Sequence, residues 1–459
     1  MMTCDAPAPA FAAIPVVERL VAAGSDLGAQ LLRALDTPLR AYLGALIPAP
    51  EPSYNAHRAR LVRAVERYLH AHGDADVDAV CDHLLRIPVM QQADHSNLLL
   101  EGETFLHNLL FHWATAEAGV SIAVMNQCST VSCLSRRVPV LGPTFLRSRG
   151  SLLRVLPVAK AQLKDMTFCL IPGPVTMTFD LMEGDCDVAG DPVLGRLVGR
   201  TFPDAPTAYR IANDEIWRSL DLDHGVRRVA LDDAVYAECV ALQLEDPDSP
   251  VTRLLFDPAV RDAFVRVKRH LVEDPLNLAV NRASPDFLWM RKGPRLHQVV
   301  LDGEGDRARW VREVDGAPMP VPYERQAFVD ALRAGDIHPD RVLTYIVHCL
   351  LPGVVAVGGV SQQDYVKLYR RILLGTHAEV PFLDADELDQ VSRPDLSRLG
   401  GRSLLSLSRE DAPFIRLLGP QTPLGEMAAK YLDLPVGETV GELPVVGHLI
   451  RKLDALGAA

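Results

Sequence analysis

Across 459 positions the sequence has no apolar run near the ~18 residues that a membrane-spanning helix needs, so a membrane protein is not expected. The first residues, MMTCDAPAPAFAA, hold neither a basic start nor a long apolar stretch, and no secretory signal is expected. Paired cysteine motifs are missing as well. The eight cysteines (Cys4, Cys81, Cys128, Cys133, Cys169, Cys186, Cys239 and Cys349) are scattered with no C-x-x-C pair. That spacing argues against a zinc ribbon or a disulfide framework and makes a reduced cytoplasm the expected compartment. Positive charge is in deficit: 47 Lys and Arg stand against 59 Asp and Glu, for a formal net charge of −12. Nucleic-acid binding draws much of its affinity from phosphate neutralisation, so no nucleic-acid partner is expected. No internal repeat is visible, and low complexity is confined to the Ala/Pro-rich first residues.

What is present is ordinary globular composition, 48% hydrophobic and 23% charged. Apolar residues at helical spacing predict helices over 15–47 (Val16, Val17, Leu20, Val21) and over 57–86 (Leu61, Val62, Val65, Leu69, then Val77, Val80, Leu84, Leu85). Pro48, Pro50 and Pro52, which lack an N–H donor, break the chain between them. Then the pattern changes. Ile87-Pro88-Val89-Met90 is a short apolar run, 91–97 is a polar cluster that reads as a loop, 102–118 is a strong helix, and 121–127 (SIAVMNQ) is β-like. Strand, loop, helix, strand is the pattern of a parallel βαβ unit. Apolar runs at 175–179, 287–290, 299–301 and 354–357 continue the same reading, with helices over 230–245, 258–272 and 323–334. The expectation is an α/β fold: a helical N-terminal segment over 1–85, a Rossmann-like parallel-sheet core over 86–385, and a short mixed, mostly helical C-terminal segment over 386–459.

Four segments carry groups suited to chemistry. Ligands of open parallel sheets bind beyond the carboxyl ends of the strands, and Gln91, Gln92, His95 and Asn97 follow the first core strand directly. His95 is the residue that would titrate near neutral pH; the plain alternative is a hydrogen-bonded loop. Glu103 and His107 share a helix face, as a metal pair would. No complete ligand set accompanies them, so no metal is expected. From Cys128 to Lys164 there is no Asp or Glu, while Arg136, Arg137, Arg147, Arg149, Arg154, Lys160 and Lys164 all carry positive charge. Arginine forks match carboxylate and phosphate oxygens, so this run reads either as an anion site or as a solvated face paired with acids elsewhere. Finally, the apolar run ending at Val357 meets Gly358-Gly359, and a helix begins with Val360-Ser361-Gln362 and Tyr365. Two glycines let backbone approach a ligand. The segment lacks the G-K-[ST] ending of a Walker loop and the full dinucleotide spacing.

Taken together, the first and fourth segments resemble the bacillithiol biosynthesis cysteine-adding enzyme family, over about residues 60–385. That family has Gly-Gln-Gln after its first core strand, then a helix and a strand; Met90-Gln91-Gln92-Ala93 holds that place here. Further on the family has a run ending in Leu-Pro, an apolar strand, then Gly-Gly-Pro-Gly-Glu and an aromatic residue. Leu343-Thr344-Tyr345 through Leu351-Pro352, then Gly358-Gly359-Val360-Ser361-Gln362 and Tyr365, share this frame. The chain departs from it in four places. Met90 replaces the family's glycine, and Asn126-Gln127-Cys128-Ser129-Thr130 replaces its acidic-histidine cluster. The Arg-Pro and Gln-Asp pairs before Leu-Pro are lost, and the tail is too short for the family's coiled-coil arm.

The resemblance is that of a divergent relative. It implies a Rossmann-like core and an enzyme that forms an amide or C–N bond on a small amino-acid-like substrate, in specialised metabolism. In that frame Gln91, Gln92 and His95 are the catalytic candidates. Asn97, Asn126, Gln127, Cys128, Arg147, Arg149, Tyr345, Gly358, Gly359, Gln362 and Tyr365 are the candidates for holding substrate. ATP or ADP is the candidate cofactor, and a homodimer the candidate assembly. Two other classes fit the residues: a nucleotidyltransferase or adenylate-forming enzyme, and a non-catalytic small-molecule-binding protein that kept the fold.

Overall fold

The computed structural model describes residues 14–22, 26–100, 102–130, 142–148, 150–158, 162, 166–219, 225–273, 286–400 and 431–439. At its centre is a five-stranded, all-parallel sheet formed by β1 (Val89–His95), β2 (Ile122–Cys128), β8 (Arg227–Asp232), β13 (Val355–Gly358) and β14 (Ser397–Leu399), in the order β14-β13-β1-β2-β8. Chain order runs outward from β1 to β2 and β8 on one side. It then returns to β13 and β14 on the other. The strand order therefore reverses between β1 and β13, which is the position where open α/β sheets bind ligands. The Rossmann-like core expected from the sequence is present.

The sheet is buried on both faces, as parallel sheets are. Side chains alternate along each strand. Val89, Ala123, Met125, Val355 and Val357 enter one core with the helices Gly102–Glu117 and Ala205–Ser219. Met90, Val124, Val229 and Ala356 enter a second core with Ala56–Ala71, Asp233–Leu244, Pro258–Glu273 and Val360–Glu379. Each fully buried aliphatic side chain contributes about 1.5–3 kcal/mol. The described N-terminal residues are helical and pack on this framework: Leu39–Gly44 lies on Gly102–Glu117 and Ala56–Ala71 on Asp233–Leu244. No described helix is long and apolar enough to cross a membrane.

Among the described residues, three smaller antiparallel sheets accompany the core. Strands β3 (Phe145–Ser148), β4 (Ser151–Arg154) and β6 (Asp180–Glu183) form one, and β5 (Val175–Thr176) with β7 (Thr201–Phe202) another. The third contains β9 (Leu288–Lys292), β10 (Arg295–Asp302), β11 (Arg309–Arg312) and β12 (Ile337–Pro339), in the order β11-β10-β9-β12. The apolar runs at 175–179, 287–290 and 299–301 thus belong to antiparallel sheets and not to the parallel core. The reason for the last two is local. Lys292 pairs with Arg295 across Gly293-Pro294, and two residues can join antiparallel strands but never parallel ones. Gly293, at φ 60°, supplies the positive φ that a type II′ turn requires at its first position.

Two further differences concern boundaries. Residues 91–95 are the carboxyl half of β1 and not a loop. The parallel sheet also extends through β14 to Leu399, past the boundary expected at 385. That strand has a single apolar residue, Leu399, and is too short to show alternation.

Candidate active site

All five core strands are parallel, so their carboxyl ends share one edge. Gln91 pairs with Val357, and Ala356 with Met90, which brings the Gln-Gln and Gly-Gly segments side by side although they lie far apart in sequence. The join is close. A Cβ placed on Gly358 would stand 3.1 Å from the Gln92 carbonyl oxygen and 1.5 Å from Gln362 Oε1. Glycine at 358 is therefore what lets Gln362 fold its amide over the end of β13.

Strand alternation splits the expected cluster. Gln91 pairs in register with Val357 and Met125 and shares their face, on the side of Gly102–Glu117; Gln127 follows the same parity. Gln92, Asn126 and Cys128 occupy the opposite face. There Asn126 Nδ2 donates to Gln92 Oε1 at 3.4 Å and to Cys128 Sγ at 3.5 Å. The β1–β2 register shifts between Gln91 and Asp94, a bulge of the kind that re-aims side chains beside binding sites. His95 has its backbone paired with Cys128, and its side chain lies outside the described ones. Asn97 is half-buried. Its carbonyl accepts from Asn213 Nδ2 at 2.9 Å, while Asn213 Oδ1 accepts from Leu99 N at 2.8 Å, so this buried asparagine pins the loop that leaves β1.

Aromatic residues wall the Gln92 side. Gln92 lies against the Tyr236 hydroxyl. Ring centroids are 4.8 Å apart for Tyr236 with His348 and for Tyr345 with His348, and 5.5 Å apart for Tyr345 with Tyr369. On the helix Val360–Glu379, Gln362, Tyr365 and Tyr369 fall on one stripe at helical spacing, and the two tyrosine rings stack at 6.1 Å. Burial pushes the Tyr236 and Tyr345 phenols well above their ordinary range, and Cys128 adds to both shifts. Both phenols therefore stay protonated and can donate.

Besides Tyr345, the segment from 341 to 350 supplies Arg341 and His348, which the sequence did not single out. Arg341–Tyr345 is capped by Asp340, which accepts from Leu343 N at 2.7 Å, and it continues as a π-turn over Ile346–Leu350. Here Leu351 N donates to Ile346 O at 3.0 Å. The π-turn is a geometry found often at functional sites. His348 Nδ1 lies 2.6 Å from Thr344 O. A carbonyl can only accept, so the proton is on Nδ1 and Nε2 presents a bare lone pair. Burial lowers the imidazole to about 4, so it is neutral at physiological pH.

Several polar atoms here are buried without a hydrogen-bond partner among the described residues: Asn126 Oδ1, both amide atoms of Gln362 and His348 Nε2. Leaving such an atom unpaired costs about 1–3 kcal/mol each. These atoms converge at the switch point of the sheet, where open α/β sheets bind their ligands, and buried polar atoms are normally hydrogen-bonded.

The remaining expected residues sit elsewhere or outside the described set. Arg147 is exposed on β3, in a sheet separate from the crevice. Arg154 pairs with Asp180 at 2.5 Å, the plain alternative for a surface cation. Arg149, Arg136, Arg137, Lys160 and Lys164 lie outside the described residues. Gly359 faces His107, whose ring atoms would be 3.9 Å from a Cβ at that position; the Glu103 side chain is outside the described ones. Among the described residues no three His, Cys, Asp or Glu side chains gather as metal ligands. No protein-family model matches the sequence, and no curated protein matches it either.

Proposed function

We propose that the protein binds a small amino-acid-like molecule at the carboxyl edge of its parallel sheet and joins its carboxyl carbon to an amine, the amine losing a proton as the C–O bond breaks and the oxygen leaving as water or, where ATP activates the carboxyl group, with phosphate or AMP. The single observation that carries the binding part is the convergence, where strand order reverses, of Asn126 and Gln362, two buried amides with atoms that lack a hydrogen-bond partner among the described residues, beside the buried amide of Gln92. Bidirectional amide groups suit a neutral or zwitterionic polar ligand, because each offers both a donor and an acceptor. The bond-forming part rests on the resemblance to the bacillithiol biosynthesis cysteine-adding enzymes, whose Gln-Gln and Gly-Gly frames correspond to the two segments that meet here. On this reading the Tyr236 and Tyr345 hydroxyls donate to the developing oxyanion, and His95 is the candidate acid or base.

A second reading is a binding protein without chemistry. It is favoured by the titration of the described aromatic wall: both phenols are pushed up and His348 down, so none of the three exchanges a proton near neutral pH. One experiment separates the readings. Purified protein is incubated with amino acids and primary amines, with and without ATP, and products are followed by mass spectrometry. An amide product supports the enzyme, and release of pyrophosphate moves it to the adenylate-forming class. Binding without product under every condition supports the second reading.

A further inference from the structure

We infer that Arg341, stacked on Tyr365, is the anchor for a carboxylate of the molecule bound in this crevice. The inference rests on the proposed amino-acid-like ligand and names the group that holds its acid end. Its guanidinium carbon lies 4.6 Å from the Tyr365 ring centroid, a cation–π placement that fixes the plane of the fork. Tyr369, Tyr365, Tyr345 and Cys128, all on the crevice wall, are the ionisable groups that act on it most strongly, and Asp340 feels its charge as well. No hydrogen bond and no ion pair engages it among the described residues. The neighbouring carboxylate, Asp340, is fully buried; its Oδ1 caps Leu343 N and its Oδ2 lies 3.8 Å from Lys268 Nζ, and although it feels the charge of Arg341 no ion pair joins the two.

A half-buried guanidinium with no ion pair among the described residues is unusual, since buried charges are normally paired. The same wall carries the unpaired Gln362 amide, one turn before Tyr365 on its helix. Charge decides between oxyanions. Arg341 is the cation that acts most strongly on Tyr345, and His348 is neutral. One positive charge in planar fork geometry matches a carboxylate monoanion. A phosphate near two negative charges would need further cations than the described wall supplies.

The test is calorimetric binding to the full chain. Probes are the standard L-amino acids, the corresponding primary amines without the carboxyl group, and inorganic phosphate. Wild type should bind at least one amino acid and not its amine. Arg341→Gln should weaken that binding tenfold or more, and Arg341→Lys should recover only part of it, because an ammonium lacks the fork. Asn126→Ala serves as the control for the crevice. If Asn126→Ala loses binding while Arg341→Gln binds as wild type does, the anchor is refuted and the crevice stands. Equal binding of amine and amino acid refutes carboxylate recognition, as does phosphate that competes with the amino acid and is lost in Arg341→Gln. No binding of any amino acid by wild type refutes the proposed function, and the anchor with it.

Discussion

Replacing Gln362 by Met should make the protein more stable and less able to bind. Gln362 is 2% exposed, and neither its Oε1 nor its Nε2 has a partner among the described residues. It occupies the third position of the helix Val360–Glu379, where glutamine commonly reaches back to the N-cap N–H. The N-cap here is Gly359 and no such bond forms. Met has similar length, volume and helix propensity, so the substitution keeps the packing and removes an amide that lacks partners. Each unpaired buried group costs about 1–3 kcal/mol, and the expected gain is of that size. At roughly 2.1 cal/mol/K of unfolding entropy per residue over 459 residues, the melting temperature rises by about 1–3 °C. Calorimetry reads the rise, and titration with whichever amino acid wild type binds reads the loss of affinity. A variant that melts lower and binds normally would show that Gln362 is a packing residue and would remove it from the site.

Three other outcomes follow from the same geometry. Gly358→Ala forces a Cβ into Gln362 Oε1 and to within 3.1 Å of the Gln92 carbonyl; it should lower stability by about 1–3 kcal/mol, and much of that loss should vanish in a Gln362→Ala background, as a double-mutant cycle would measure. His348, neutral in the fold with a value of about 4 against the ordinary 6.5, binds its proton more readily in the unfolded chain, so it lowers stability as pH falls from about 6.5 to about 4. The effect is at most roughly 3 kcal/mol and is opposed by Asp340, held up to about 6 by burial; His348→Gln should flatten the acid limb of a denaturation series, and an unchanged limb would contradict the assignment. Asp233 Oδ2 accepts from Ser129 N, Ser129 Oγ and Thr130 N at 2.6, 3.1 and 2.6 Å; hydrogen bonds to charge are worth about 1.5–3 kcal/mol each, so Asp233→Ala should destabilise by roughly 3 kcal/mol and raise amide exchange at 129 and 130.

The parallel core was legible because short apolar runs begin β1 and β2 and fill most of β13, and helices follow β1 and β13. The runs at 121–127 and 354–357 became β2 and β13, and the helices at 102–118 and 258–272 fall within a residue of their observed ends. The pairing of the Gln-Gln and Gly-Gly segments was also legible, since a polar or glycine-rich stretch ending an apolar strand marks a carboxyl edge. Strand β8 was hidden because its three apolar residues, Val229, Ala230 and Leu231, run straight into a helix and read as its first turn. The face on which each amide sits depends on pairing register, which periodicity over two residues cannot encode. Arg341 and His348 carry no motif. Their significance lies in hydrogen-bond partners missing among the described residues and in a π-turn, neither of which the local sequence encodes; a Tyr345 and a His348 three residues apart were the local signal.

The most direct test of the account is a crystal structure of the protein soaked with the amino acid that binds most tightly in calorimetry. The account predicts ligand density at the carboxyl edge between β1 and β13, within hydrogen-bond distance of Gln92, Asn126 and Gln362, with its carboxylate on the Arg341 fork. Density confined to the β3-β4-β6 sheet beside Arg147, or anywhere away from the switch point, would contradict it.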